Sequence, residues 1–346
     1  MELDQYLISE DSNLLEALEK IDLGGKKVLY VIKDYKLVAA ITDGDIRRWI
    51  LKKGDLNAHL NKIANYSPKF VYESEIDKIS ALMQKFSVES IPILSHTGEV
   101  KSIKFADSLV NRKEKINASV VVMAGGLGTR LLPYTKILPK PLIPIGDKTI
   151  LERILDRFTN YDIQDFKVIL NYKGNMIMAY FEELSRYNLE YYFEKEPLGT
   201  GGGLSLLKNK ISKPFFLTNC DILVNADYSD IYKFHIKNEN YITMVTSVKS
   251  IEIPYGVVNF DSNGTITSME EKPKLSRFLN TGFYVVNPDL IEELSNQKVD
   301  FTEIIEKFQI QGKKIGVYPI GENNWKDMGE LNLLNSLKKD FGDFDV

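Results

Sequence analysis

The chain has 346 residues, 44% hydrophobic and 27% charged, which suits two or three folded cores and excludes a disordered or fibrous chain. Its formal net charge of −4 provides no global field for nucleic acid or anionic lipid, and a single cysteine, Cys220, excludes an intrachain disulfide and a cysteine-built zinc site. The start, MELDQYLISED, carries acids and no apolar leader, and no run approaches the ~18 apolar residues of a membrane span, so no membrane role and a cytoplasmic location are expected.

Residues 1–113 repeat internally at an offset of 62. Leu14 matches Ile76, Ile21 matches Met83, Leu29 matches Ile91, Val31 matches Ile93, Val38 matches Val100, Ile41 matches Ile103 and Asp45 matches Asp107, with no gap. Each copy predicts a helix, a short apolar strand, a turn, a second strand and a helix starting near the aspartate. In the first copy these are residues 13–21, 28–32, 36–41 and 45–51. The pattern, with its Thr42-Asp43-Gly44-Asp45 turn, resembles a tandem pair of CBS modules, an α+β unit. A Thr and an Asp at a strand-to-helix turn suit a phosphate and a ribose hydroxyl, and the helix N-terminus favours the anion. The same residues equally suit plain helix capping. In the second copy Lys104 stands where the first has Thr42, and Asp107 keeps the acid, which leaves one competent nucleotide site or none. Thr42, Asp45 and Asp107 are thus the candidate ligands of a regulatory nucleotide, and the resemblance also implies a homo-oligomer. Residues 111–117, NRKEKIN, are charged and core-poor and read as a linker to a second domain, 118–346.

Residues 120–123 are all apolar and predict a buried strand. Ala124, Gly125, Gly126, Leu127, Gly128, Thr129 and Arg130 follow. Glycines here let backbone N–H groups approach a ligand closely, and Arg130 adds a planar fork for phosphate oxygens. Lys140, framed by Pro139 and Pro141, sits on a stiffened loop that can aim it at the same phosphates. Neither the dinucleotide G-x-G-x-x-G nor the Walker G-x-x-x-x-G-K-[ST] spacing is present. Apolar runs at 167–171 and 215–218 predict central strands, and 151–158 and 204–208 predict helices, so the domain reads as an α/β sheet flanked by helices. Ligands in such sheets gather at the carboxyl ends of strands, which places the glycine loop and the Asn219-Cys220-Asp221 turn on one rim. Asp221 is there a candidate Mg²⁺ ligand. Cys220 is expected to be buried and inert. His59, His96 and His235 fall outside every motif, so no histidine chemistry is expected.

The compound pattern G-G-x-G-T-R followed by P-K-P-L resembles the sugar-1-phosphate nucleotidyltransferases. The resemblance implies a Rossmann-like mixed sheet and a Mg²⁺-dependent transfer of a nucleoside monophosphate from an NTP to a sugar-1-phosphate, with pyrophosphate as the leaving group. It makes Arg130 and Lys140 the catalytic cations and Ala124, Gly125, Gly126, Gly128 and Thr129 the triphosphate loop. Glu196-Pro197-Leu198-Gly199-Thr200-Gly201 resembles the family segment that meets the nucleoside, which implies Glu196, Gly199, Thr200 and Gly201 there; Asn171, at the end of the preceding strand, is a candidate base-edge contact by position. Tyr255-Gly256-Val257 resembles a segment in which the glycine makes room for the sugar. Glu271-Lys272-Pro273, after an apparent strand at 265–269, resembles the E-K-P motif, with Lys272 on the sugar phosphate and Glu271 on a sugar hydroxyl. Asn280 and Thr281 in N-T-G-F-Y resemble a strand lining the sugar pocket. Asp327 in W-K-D-M-G fits the W-x-D-x-G frame and is implied as the second metal ligand.

Such a reaction needs no general base, because a phosphate monoester is already ionised, so catalysis is positioning plus charge stabilisation. The chain is most similar to members with N-terminal CBS pairs, among them glucosamine-1-phosphate guanylyltransferases of the bacterial legionaminic acid route. GTP and glucosamine-1-phosphate are therefore the expected substrates, and uridylyl or thymidylyl transfer to glucose-1-phosphate is the alternative. A nucleotide-sensing regulator with an inactive transferase half is a reading of another class. Arg130, Lys140, Asp221, Lys272 and Asp327 all stand at motif positions, which favours the enzyme. No hexapeptide repeat follows, so a bifunctional acetyltransferase form is not expected.

Overall fold

The computed structural model describes residues 3–24, 26–86, 88–106 and 114–329. The first repeat copy forms β1 (Leu7–Ser9), α1 (Leu14–Gly24), β2 (Val28–Lys33), β3 (Lys36–Thr42) and α2 (Asp43–Leu51). The second forms β4 (Val71–Tyr72), α3 (Ile79–Phe86), β5 (Ser90–Leu94) and β6 (Val100–Phe105). The two three-stranded sheets share one connectivity: a parallel pair, β1 with β2 and β4 with β5, then an antiparallel hairpin, β2 with β3 and β5 with β6. α1 buries Leu14, Leu15, Ala17, Leu18 and Ile21 against Leu29, Val31, Ala39 and Ile41. The second copy has a smaller core of Val71, Ile79, Ile91 and Ile93. Tyr30 Oη and Ser90 Oγ, one from each copy, are hydrogen-bonded at 2.8 Å.

The gapless repeat is corrected in the hairpins. Val28 pairs with Thr42 in the first copy, but Ser90 pairs with Phe105 in the second. Ile32 pairs with Leu37 and Leu94 with Val100, so the second turn is one residue longer. The counterpart of Thr42 by pairing is therefore Phe105 and not Lys104. A one-residue shift sends alternate side chains to the other face. Ile41 is accordingly buried opposite Leu29, whereas Lys104 is exposed opposite Ile91.

The chain continues as β7 (Val120–Ala124), β8 (Pro144–Ile145), β9 (Lys148–Thr149), α4 (Ile150–Thr159), β10 (Phe166–Leu170), α5 (Gly174–Leu184), β11 (Leu189–Phe193), α6 (Gly199–Gly202) and β12 (Phe215–Asn219). Then come β13 (Ile222–Val224), α7 (Tyr228–Lys237), β14 (Ile242–Glu252), β15 (Val257–Phe260), β16 (Ile266–Glu270) and β17 (Lys274–Val286). Last are α8 (Asp289–Glu292), α9 (Phe301–Ile310), β18 (Ile315–Ile320) and β19 (Trp325–Asp327). Seven strands form one mixed sheet in the order β11-β10-β7-β12-β17-β14-β18. β11, β10, β7 and β12 are parallel, and β17 runs antiparallel to β12. Every residue of β7 and β10 is buried, as continuous apolar runs covered on both faces should be.

α4 starts on a reciprocal Thr149–Glu152 capping box and buries Ile150, Leu151, Ile154, Leu155 and Phe158. Phe158 lies 5.3 Å from the Phe216 ring and 4.8 Å from that of Tyr228. The helix expected over residues 204–208 is instead a 3-10 turn, Gly203–Leu207. It follows directly on α6, and Leu204 and Leu207 reach the core.

The chain divides into two compact units. One comprises Met1–Arg112, Ser247–Leu279 and Pro319–Asn323, and the other Lys113–Thr246, Asn280–Tyr318 and Asn324–Val346. The first unit thus takes in the exposed β15–β16 hairpin, and Val248 joins the core of the first repeat copy. Of the expected linker, Ile116 is buried in the second unit and its N–H donates to Tyr161 O at 3.0 Å, while residues 111–113 lie outside the described residues. No helix among the described residues is long and apolar enough to cross a membrane.

Candidate active site

The four parallel strands end on the same edge of the sheet, and each delivers a functional segment there. β7 runs into the glycine loop, β10 into Asn171, β11 into Glu194 and β12 into Asn219-Cys220-Asp221. Gly128 has φ +65°, and a Cβ on it would lie 2.8 Å from Thr135 Cγ2 and 3.1 Å from Lys140 Cβ. A Cβ on Gly125 would lie 2.8 Å from Glu194 Oε2. These two glycines are therefore required by the protein's own packing. Nothing lies within 4 Å of a Cβ on Gly126, so the backbone there is open to a ligand.

Arg130 and Lys140 converge on the two aspartates expected to hold metal. Arg130 donates to Asp327 Oδ2 at 3.1 Å and to Asp221 Oδ2 at 3.5 Å, and Lys140 Nζ donates to Asp221 Oδ2. Lys140 opens a 3-10 turn behind Pro139 and is 8% exposed; Asp221 is 6% exposed. β13 pairs antiparallel with β19, setting Ile222 opposite Asp327, and the Met328 N–H donates to Asp221 O at 2.8 Å. That pairing brings together two aspartates far apart in the chain. Gly329 is part of the geometry: its N–H donates to Asp327 Oδ1 at 2.8 Å, and a Cβ would stand 2.5 Å from Lys140 Nζ and 2.9 Å from Asp221 Oδ2.

Beside this cluster lies a cavity of about 300 Å³ lined by Arg130, Thr200, Asn219, Asp221, Trp325 and Asp327, together with Asn280 and Thr281 of β17. Thr281 is buried and donates to Val245 O at 2.7 Å, while Trp325 Nε1 donates to Thr281 O at 3.2 Å. Asn280 Oδ1 accepts from the Gly282 N–H and Tyr284 Oη. The Thr200 hydroxyl donates to Asp300 and accepts from the Phe301 N–H, which ties α6 to α9. A Cβ on Gly201 would meet the Phe301 backbone at 3.0 Å, and one on Gly199, at φ +77°, would meet Val299 O at 2.7 Å. Gly199 and Gly201 thus let α6 pack closely against its neighbours.

Just before the segment expected to meet the nucleoside stands a second carboxylate that the motif did not include. Glu196 is exposed. Glu194, two residues earlier, is 8% exposed, and its Oε1 has no hydrogen-bond partner. Burial raises its carboxyl pKa above the usual glutamate value, with a backbone hydrogen bond from Leu198 opposing. Asn171 Nδ2 donates to the carbonyl of Glu194 at 3.0 Å, beside Gly125. Asn219 and Trp325, which line the cavity, Gly329 beside the aspartates, and Glu194 beside Gly125 were not singled out from sequence. The only available signal was their nearness to motif residues, since F-E-K-E-P does not say which glutamate turns inward. Burial pushes the Cys220 thiol up to about 12, consistent with an inert cysteine.

Gly256, Glu271 and Lys272 belong to the first unit, around the β15–β16 hairpin. A Cβ on Gly256 would lie 3.1 Å from Glu271 Oε2, and Lys272 holds a left-handed φ of +47°. Thr42 and Asp45 form a reciprocal capping box on α2, with the Thr42 hydroxyl donating to Asp45 Oδ2 at 2.6 Å and Arg48 paired to Asp45 Oδ1. Asp107 lies outside the described residues.

Comparison with known proteins bears on this site. The chain is 28% identical over 223 residues to a mannose-1-phosphate guanyltransferase of Schizosaccharomyces pombe, covering 61% of this chain and 60% of that protein. It is 32% identical over 190 residues to the D-glycero-alpha-D-manno-heptose 1-phosphate guanylyltransferase of Campylobacter jejuni, covering 54% of this chain and 84% of that protein. The chain thus spans about 60% of the length of the mannose-1-phosphate guanyltransferases it matches. In fold it is similar to HddC from Yersinia pseudotuberculosis, with a TM-score of 0.53 at 23% identity over 65% of this chain and 99% of that one. The nucleotidyl transferase family model matches residues 119–342, more than half of the chain, and the protein belongs to that family.

Proposed function

We propose that this protein transfers a nucleoside monophosphate from GTP to a hexose-1-phosphate, glucosamine-1-phosphate in the favoured reading, giving an NDP-sugar and pyrophosphate. The observation that carries it is the convergence of Arg130 and Lys140 on Asp221 and Asp327 at the strand-end rim. In the reaction a sugar-phosphate oxygen bonds to the α-phosphorus as the bond to the pyrophosphate oxygen breaks. Lys140 and Arg130 supply fixed positive charge where negative charge develops on the leaving group. The open backbone at Gly126 and its neighbours Ala124, Gly125, Gly128 and Thr129 cradle the triphosphate. Lys272 and Glu271 are taken to meet the sugar phosphate and a sugar hydroxyl beside Gly256, with Asn280 and Thr281 lining the sugar pocket.

Asp221 and Asp327 fit Mg²⁺. They present hard oxygens to one guanidinium, and Mg²⁺ is commonly held by one or two carboxylates plus substrate phosphates. A pair of carboxylates completed by substrate phosphate oxygens is the arrangement such a site would take. When bound, the ion would screen the repulsion between the two anionic substrates.

Glu194 supports guanine as the base. Its Oε2 lies beside Gly125 of the loop, and a carboxylate there would match the adjacent N1–H and N2–H donors of guanine, whereas uracil or thymine offers a single ring N–H. The mannose- and heptose-phosphate relatives are guanylyltransferases by name, which points the same way. The repeat pair is taken as a CBS-type module. Thr42 and Asp45 spend their side chains on a cap, which favours homo-oligomer assembly over nucleotide sensing.

Pyrophosphate release with Mg²⁺, measured for GTP, UTP, CTP, dTTP and ATP against glucosamine-1-, glucose-1- and mannose-1-phosphate, tests the reading. GTP with glucosamine-1-phosphate should stand out. Release with UTP or dTTP and glucose-1-phosphate alone would replace the base and sugar assigned here. Binding of nucleotide without release from any pair would favour an inactive transferase half.

A further inference from the structure

The loop from Gly125 to Lys140 carries both catalytic cations yet has little regular structure. Its only helical pieces are the 3-10 turns Thr129–Leu131, Tyr134–Lys136 and Lys140–Leu142. Leu131 anchors the loop in the core, but Leu127, Leu132, Tyr134 and Ile137 stand exposed, Ile137 at 75%, so apolar burial holds little of residues 132–137. Beyond the loop's own turn hydrogen bonds, side-chain bonds from one place hold that stretch. Lys173, which precedes α5, donates from its ammonium to Thr135 O at 3.3 Å, Lys136 O at 2.6 Å and Ile137 O at 2.9 Å. Three donors meet three successive carbonyls, the full capacity of an ammonium. Tyr172 Oη adds a bond to Thr135 O at 3.3 Å.

The hold reaches both ends of the loop. Thr135 is buried, donates to Gly128 O at 3.0 Å, and fills the space a Gly128 side chain would need. Lys140 Cβ borders that same space. Lys173 itself holds a left-handed φ of +53°, a conformation glycine adopts more readily than lysine. A Cβ on Gly174 would stand 2.8 Å from Phe193 Cε1 and 2.9 Å from Leu170 Cβ, so close packing fixes the turn from which Lys173 reaches out.

We propose that Lys173 is a positioning residue, whose ammonium clamps the carbonyls of residues 135–137 and so sets Arg130 and Lys140 against the phosphates. Its effect on turnover rests on the transferase reading above; the clamp itself does not.

The test uses the full chain with Lys173→Met, Lys173→Gly and Lys173→Arg, read by steady-state kinetics, melting temperature and trypsin cleavage after Arg130 and Lys136. Lys173→Met should lower kcat on the order of 10–10²-fold, as an ångström-scale misplacement of charge does, with the melting temperature within about 2 °C of wild type. Cleavage in the loop should speed up about tenfold, an opening that a general loss of stability would not confine to these two bonds. Lys173→Gly keeps the left-handed backbone without the ammonium and should behave like Lys173→Met. Lys173→Arg, which also donates to carbonyls, should recover most of both readouts. Wild-type cleavage rates in the Met and Gly variants would overturn the clamp, as would a Gly variant with wild-type kcat. Faster cleavage in a protein that releases no pyrophosphate would uphold the clamp and overturn the transferase reading instead.

Discussion

The buried Lys140–Asp221 pair invites a double-mutant cycle. Both side chains are about 90% buried, and Arg130, at 3.5 Å, is the second cation near Asp221. Lys140→Met keeps the volume and removes the charge, leaving a buried carboxylate. Breaking such a pair from one side costs about 3–5 kcal/mol, and the nearby Arg130 should keep the loss near the lower end, about 3 kcal/mol. For a domain of roughly 200 residues that is a fall of about 6–12 °C in melting temperature. Asp221→Asn alone should also destabilise, by stranding the ammonium. The double variant buries neither charge and should recover most of the loss, because a neutral pair carries little desolvation penalty. Activity should behave differently. Lys140→Met should slow turnover on the order of 10²–10³-fold, Asp221→Asn at least as much, and the double variant should stay inactive. Thermal denaturation and pyrophosphate release on the four proteins complete the cycle. Additive losses of stability would refute the direct pairing, and normal turnover in Lys140→Met at saturating substrate would refute the catalytic role.

Other consequences can be measured separately. Gly329→Ala forces a Cβ to within 2.5–2.9 Å of Lys140 Nζ, Asp327 Oδ1 and Asp221 Oδ2, and should cost turnover on the order of 10²-fold with a smaller effect on melting; wild-type kcat would remove Gly329 from the site. Glu194→Gln should reduce the preference for GTP over the other triphosphates, and unchanged selectivity in a competition assay would exclude Glu194 as the base reader. Because burial raises the Glu194 pKa, the nucleotide-free protein gains stability from it below the ordinary glutamate range and loses that as pH rises through the raised value; Glu194→Gln should abolish this slope in a pH series of melts. His235 runs the opposite way. Burial lowers its pKa from 6.5 to about 4, so its contribution is present above pH 6.5 and is lost as pH falls towards 4, by up to about 3 kcal/mol; a His235→Gln variant showing the same acid slope would refute this.

Much of the site was readable because its residues lie in contiguous motifs. The glycine loop, Lys140 between two prolines, and Asp221 at the end of an apolar run stand out by local sequence alone, and the structure sets Lys140 against Asp221. Glu194 and Glu196 show where such reading stops. Residues 194 and 196 stand two apart just past the end of β11, and only the packing around Gly125 and Gly203 shows that Glu194 is the one enclosed. The N-terminal repeat was legible as a repeat, but a turn one residue longer re-registers β6, and a uniform offset cannot reveal that.

The sequence by itself determined three of the four parallel strands of the sheet, the glycine turn and the chemistry on offer, because apolar runs, glycine and proline act over a few residues. Tertiary structure alone decided which charges meet. β13 pairing with β19 brings Asp221 to Asp327, and Lys173 reaches carbonyls 36 to 38 residues earlier in the chain. It also decided that residues 247–279 join the N-terminal unit rather than the one carrying the cations. The physical reason is that burial and hydrogen-bond satisfaction depend on the packed neighbours of a residue, and those neighbours are set by strand order and register over the whole chain.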